Sequence, residues 1–119
     1  MGMEITMPRG DIRPVRFLIK GENGDPASVL FTEIYVTFKK SFIDKTYLFQ
    51  KRLSDGTVLQ LDVGDYEFII MPEDTDGLKI TDYVFDIEVL YEDQIKQTFV
   101  GKLILTNEVT FAENEGETE

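Results

Sequence analysis

The chain has 119 residues, enough to bury one hydrophobic core and too few for two, and its 42% apolar content with nine Phe and five Tyr is that of a folding chain. His and Cys are both absent, which excludes disulfides, thiolate zinc sites, cysteine nucleophiles and histidine-centred acid–base chemistry. A net charge of −11, from 12 basic and 23 acidic residues, disfavours nucleic acid and anionic membrane surfaces as partners.

The N-terminus, Met1-Gly2-Met3-Glu4, carries no basic segment followed by an apolar one, and no apolar run reaches the roughly 18 residues of a membrane span. Synthesis in the cytoplasm is therefore expected. From there on, apolar residues recur at every second position, the period of a half-buried strand. A first strand is predicted over Met3 to Met7. Val15, Phe17 and Ile19 alternate with Arg16 and Lys20 in a second, followed by a turn at Gly21-Glu22-Asn23-Gly24-Asp25-Pro26. Ile34, Val36 and Phe38 alternate with Tyr35, Thr37 and Lys39 in a third.

Further strands are expected at Thr46 to Lys51, Val58 to Leu61 and Tyr66 to Met71, separated by turns at Ser54-Asp55-Gly56 and Val63-Gly64-Asp65. Pro72 to Gly77 reads as another turn. The clearest strand puts Tyr83, Phe85, Ile87, Val89 and Tyr91 on one face, with Asp82, Asp86, Glu88 and Glu92 among the residues on the other. After Glu92-Asp93-Gln94, a strand from Ile95 to Leu105 is apolar on both faces, and a short one closes at Val109 to Phe111. Residues 112–119 hold four Glu and no aromatic, so they are expected to form a disordered acidic tail behind a single domain of residues 1–111.

Seven or eight short strands in one continuous meander leave two packings, a sandwich or a small barrel. Leu78, Asp82-Tyr83, Phe85 and Ile87 favour the sandwich. A Tyr opening this strand matches the corner tyrosine of immunoglobulin-like folds, with Phe85 in the place of the usual second Cys. The expected class is an all-β, immunoglobulin-like antiparallel β-sandwich.

Candidate sites are few. Asp74-Thr75-Asp76-Gly77 opens like a calcium loop, but its twelfth position is Phe85, so no bidentate Glu closes it, and a solvated turn accounts for the same residues. Arg9-Gly10-Asp11 spells an adhesion tripeptide that a glycine-centred turn between two strands explains equally well. The carboxylate pairs Asp62 with Asp65 and Asp74 with Asp76 lie in polar turns, where solvent is expected to keep both members ionised and unfit for glycoside hydrolysis. No catalytic, cofactor-binding or metal-ligating residue is assigned, and a non-enzymatic role is expected. Tyr35 and Tyr47 are placed on outward strand faces, where they stack on sugars, meet a subunit or only cover the sheet. Lys39, Lys40 and Lys45 form a basic edge that either blocks strand pairing or meets an acidic partner.

The order of short motifs carries a resemblance. Pro8-Arg9-Gly10-Asp11, Phe38-Lys39-Lys40-Ser41, Leu53-Ser54-Asp55-Gly56, Pro72-Glu73-Asp74-Thr75, Asp82-Tyr83-Val84-Phe85-Asp86-Ile87, Gly101-Lys102-Leu103 and Leu105-Thr106-Asn107-Glu108-Val109-Thr110 follow one another from Pro8 to Phe111. Together they resemble small phage and prophage structural proteins of Gram-positive bacteria, similar to the N-terminal domain of the baseplate upper protein family. The resemblance implies an immunoglobulin-like sandwich packed into a tail or baseplate of the virion, with other phage structural proteins or further copies as partners. It transfers no catalytic or cofactor residue. A bacterial immunoglobulin-like or carbohydrate-binding module is the alternative from a different class.

Overall fold

A computed structural model describes residues 3–20, 24, 31, 33–91 and 94–107, apart from the side chains of 94–96. Eight strands follow in order: β1 (Met3–Pro8), β2 (Arg13–Leu18), β3 (Glu33–Lys39), β4 (Phe49–Arg52), β5 (Val58–Asp62), β6 (Asp65–Ile70), β7 (Asp82–Tyr91) and β8 (Gln94–Thr106). A single helical turn, α1 (Pro72–Thr75), stands between β6 and β7. Two sheets form, one in the order β1-β8-β7-β3-β4 and one in the order β2-β6-β5. The runs β8-β7-β3-β4 and β2-β6-β5 follow the G-F-C-C′ and B-E-D orders of immunoglobulin sheets. The fold is an immunoglobulin-like β-sandwich.

Strand alternation builds the core. Ile34, Val36 and Phe38 of β3 and Phe85, Ile87 and Val89 of β7 are buried on one sheet, facing Val15 and Phe17 of β2 and Tyr66, Phe68 and Ile70 of β6 on the other. Phe38 is the aromatic centre: it stacks on Phe49 at 4.3 Å and on Phe85 at 4.9 Å, and meets the edge of Phe68 across the sandwich at 6.1 Å. Burying each such ring contributes about 1.5–3 kcal/mol.

Gly101 makes room for this cluster. It pairs with Phe85 in register, and a Cβ added there would run into the edge of the Phe85 ring and lie 2.9 Å from the Met3 carbonyl. Only glycine lets β1, β8 and the Phe85 ring approach so closely.

The corner tyrosine is realised in atomic detail. The Tyr83 hydroxyl donates to the Lys79 carbonyl at 2.8 Å while its ring is buried, so the chain turning into β7 is pinned to the strand it enters.

Several expectations change. The strands do not form one meander, because β3 pairs with β7 and β2 with β6, and the sheets are not wholly antiparallel. β1 runs parallel to β8, from Met3↔Gly101 to Pro8↔Thr106. Pairing partners distant in the chain carry no local sequence signal. The strand expected from Thr46 starts only at Phe49, since the preceding residues form a structured loop. Pro72 to Gly77 contains the α1 turn, initiated by Pro72, with Asp74 accepting the Met71 N–H at 2.8 Å. The expected strand at Val109 to Phe111, the tail at 112–119, most of the 21–26 turn, and Glu92 and Asp93 lie outside the described residues. Among the described residues, no helix is long and apolar enough to cross a membrane.

Candidate interaction surface

Beyond Lys39 the chain leaves the sheet in a nine-residue excursion, 40–48, before β4 begins. Its conformation is fixed by its own polar groups. The Asp44 N–H donates to the Ser41 carbonyl at 3.2 Å, the Ser41 N–H to Asp44 Oδ2 at 3.3 Å, and the Ile43 N–H to Ser41 Oγ at 3.3 Å. Lys39 Nζ donates to the Asp44 carbonyl at 3.0 Å, and the Leu48 N–H returns to the Phe38 carbonyl at 2.7 Å. With the backbone occupied this way, Phe42 and Ile43 point outward. Phe42 is 50% exposed, Ile43 89% and Tyr47 51%. Lys40 and Lys45, both exposed, flank them.

Phe42 also forms one wall of a shallow groove of about 290 Å³ on the outer face of the five-stranded sheet. Met3 and Glu4 of β1, Val84 of β7, and Val100, Gly101 and Lys102 of β8 complete it. Nearby on the same face, Asp86 lies between Thr37 and Val100 in register, and partial burial pushes its carboxyl above the usual range, opposed by the charge of Lys39.

The four residues expected at the surface fare differently. Tyr35, Thr37 and Lys39 share the outer face of β3. Arg52 lies 5.3 Å over the Tyr35 ring and is held there through Gln50, whose Oε1 accepts from Arg52 Nε at 2.6 Å and whose Nε2 donates to Thr37 Oγ1 at 2.9 Å. This cover closes Tyr35 to a stacking ligand on that side. Tyr47 lies in the loop and not on a strand face. Lys39 is not on a sheet edge, because β3 sits between β7 and β4, and its ammonium braces the loop. Lys40 flanks the tip.

Phe42 and Ile43 were not singled out by sequence reasoning. Their signal is present nonetheless: two adjacent large apolar residues inside the polar stretch from Lys39 to Thr46, next to the turn formers Ser41 and Asp44, where the alternation of β3 has already ended.

The other candidates resolve into structural roles. Asp74 is not a solvated turn residue: its Oδ2 meets Lys51 Nζ at 2.6 Å, with both side chains nearly buried. Lys51 faces inward because it pairs with the inward Val36. Asp76 sits at the end of α1. Asp65 is bridged to Arg16, and Asp62 caps its own turn by accepting the Val63 N–H at 2.7 Å. Arg9-Gly10-Asp11 is a tied turn, with Arg9 Nη1 donating to the Leu78 carbonyl at 3.0 Å and the Gly10 N–H to Thr75 Oγ1 at 2.9 Å. No cluster of three or more metal-ligating side chains occurs among the described residues.

No protein-family model and no curated protein matches the sequence. Solved structures do match in fold. One is the endo-β-1,4-mannanase from Thermotoga petrophila, at 17% identity and a TM-score of 0.55, covering 90% of this chain and 18% of that one. Another is the NK cell receptor NKp44, at 12% identity and a TM-score of 0.54, covering 89% of this chain and 99% of that one. The chain thus spans less than a fifth of the mannanase and nearly all of the receptor structure. At these identities the likeness is one of fold, in agreement with the immunoglobulin-like strand order.

Proposed function

We propose that this chain is a non-catalytic structural module of a phage or prophage particle, a tail or baseplate component that works through contacts between subunits. The β3–β4 loop is the observation that carries the reading. An apolar tip of Phe42, Ile43 and Tyr47 costs free energy in water, and its rigid backbone lowers the entropy lost when a partner covers it. The run of motifs from Pro8 to Phe111 supplies the particle. In this reading the chain is made in the bacterial cytoplasm and joins the virion, where its partners are other structural proteins or further copies of itself.

Peptide mass spectrometry of particles purified from the induced source bacterium tests the proposal. Reproducible copies in the particles are expected; enrichment in the cell-wall fraction with none in particles would replace it with a surface-binding module. One observation favours that second reading, the half-exposed Tyr47 ring, which is available to stack on a sugar. Glycan-array binding abolished by Tyr47→Ala would select it.

A further inference from the structure

Seven of the ten large apolar residues exposed on the described surface fall into two groups. The first is the loop tip, Phe42, Ile43 and Tyr47. The second is Leu18 at the end of β2 with Leu59, Leu61 and Val63 of β5 and the β5–β6 turn. Register brings the second group together: Leu18 pairs with Asp65, Asp65 with Asp62, and Leu59 with Glu67. The turn is rigid, because Gly64 takes a φ of +69° and its carbonyl accepts the Ile19 N–H at 2.8 Å. Neither group is a byproduct of a loosely held backbone.

The two groups carry opposite charge. In the loop, Lys39, Lys40 and Lys45 stand against Asp44 as the one acid of residues 39–48, whereas the rest of the chain holds nine bases against 22 acids. Around the second group, residues 58–70 hold Asp62, Asp65 and Glu67 and no base, while Arg16 bridges Asp65 from β2. They also lie at opposite ends of the sandwich. Tyr66, opening β6, packs on Phe31 just before β3, and Phe68 packs on Phe38 near the end of β3, so the two strands run in the same sense. The β5–β6 turn is therefore at the end away from the β3–β4 loop.

We infer that copies of this chain associate head to tail, the basic-rimmed tip of one seating on the acidic-rimmed leucine patch of the next. This deepens the structural-module reading and rests on it. The geometry is heterologous: each copy uses one patch and leaves the other free, so association continues into rings or open chains and does not stop at a two-fold dimer. Apolar contact supplies the affinity, while Lys40 and Lys45 against Asp62 and Glu67 set the orientation. The chain's overall negative charge opposes random association and leaves this basic segment as the place where an acidic copy is attracted.

Sedimentation velocity of the full chain from micromolar to near-millimolar concentration tests the inference. The wild type should grow beyond two copies, with weaker association in high salt. Ile43→Glu and Leu61→Lys, both at exposed positions, should each weaken self-association on the order of thirty-fold or more while leaving circular dichroism unchanged. The distinctive outcome is the mixture: the two variants together should form a dimer and no larger species, because each retains the face the other has lost. A wild type that stays monomeric, or stops at a dimer insensitive to Leu61→Lys, overturns the inference. Mass spectrometry of particles is independent of this result. A monomer found in virions refutes head-to-tail association alone, and a polymerising chain missing from virions refutes the particle assignment alone.

Discussion

Phe38 and Phe42 are four residues apart and meet opposite fates. Phe38 closes the inward row of β3 and lies at the centre of an aromatic cluster with Phe49, Phe68 and Phe85, whereas Phe42 stands at the tip of a hydrogen-bonded loop. Hydrophobicity is identical, so the difference lies in backbone direction. While the strand continues, every second residue faces the other sheet; once Ser41 and Asp44 bend the chain, the next apolar pair faces water. One end of β3 holds the fold together, and the residues just beyond it are free to contact something else.

The comparison breaks most visibly through the core. Phe38→Ala is expected to cost about 4 kcal/mol in urea unfolding, whereas Phe42→Ala should stay within about 0.5 kcal/mol; similar losses for the two would mean that the loop is part of the core. Lys51→Met should cost about 3 kcal/mol by leaving Asp74 with no cation beside it, read as a lower midpoint with an unchanged slope. Tyr83→Phe keeps the ring and removes the hydroxyl that holds the Lys79 carbonyl, for about 1 kcal/mol.

The smallest effect concerns Asp86 and has the opposite sign. Its raised carboxyl pKa means that the folded chain binds the proton more tightly than the unfolded one, so above both values the charge opposes folding, and below the unfolded value near 3.9 it no longer does. Asp86→Asn should therefore raise the melting temperature at pH 7 by about 1–2 °C, a small gain because the group keeps contact with water. A thermal melt repeated below about pH 4 should show the gain disappear.

Much of this architecture was legible in the sequence because burial follows local alternation. Val15, Phe17, Ile34, Val36, Phe38, Phe85, Ile87 and Val89 were all placed on inward rows and are all buried. Tyr83 signalled the fold, while its hydrogen bond to the Lys79 carbonyl appears only in the structure. Lys51 was not legible: a lysine reads as solvent-facing until register sets it beside Val36, within reach of Asp74. The parallel pairing of β1 and β8 was invisible for a related reason, since it joins residues about a hundred positions apart. At the surface, Tyr35 and Lys39 were read as exposed because they alternate with buried residues, yet Arg52 covers the one and the other braces the loop, while the tip, Phe42 and Ile43, shows only where regular alternation stops.

That parallel pairing has a mechanical consequence. Because β1 and β8 run side by side in the same direction, the chain enters one and leaves the other toward opposite ends of the sandwich. Tension along the chain then loads the six residue pairs from Met3↔Gly101 to Pro8↔Thr106 in shear, all at once, where an antiparallel hairpin pulled from its open end would unzip pair by pair. Rupture under load is governed by the unfolding rate and not by equilibrium stability. Resistance to stretching is then set by how these six pairs give way together, and need not follow the resistance to heat.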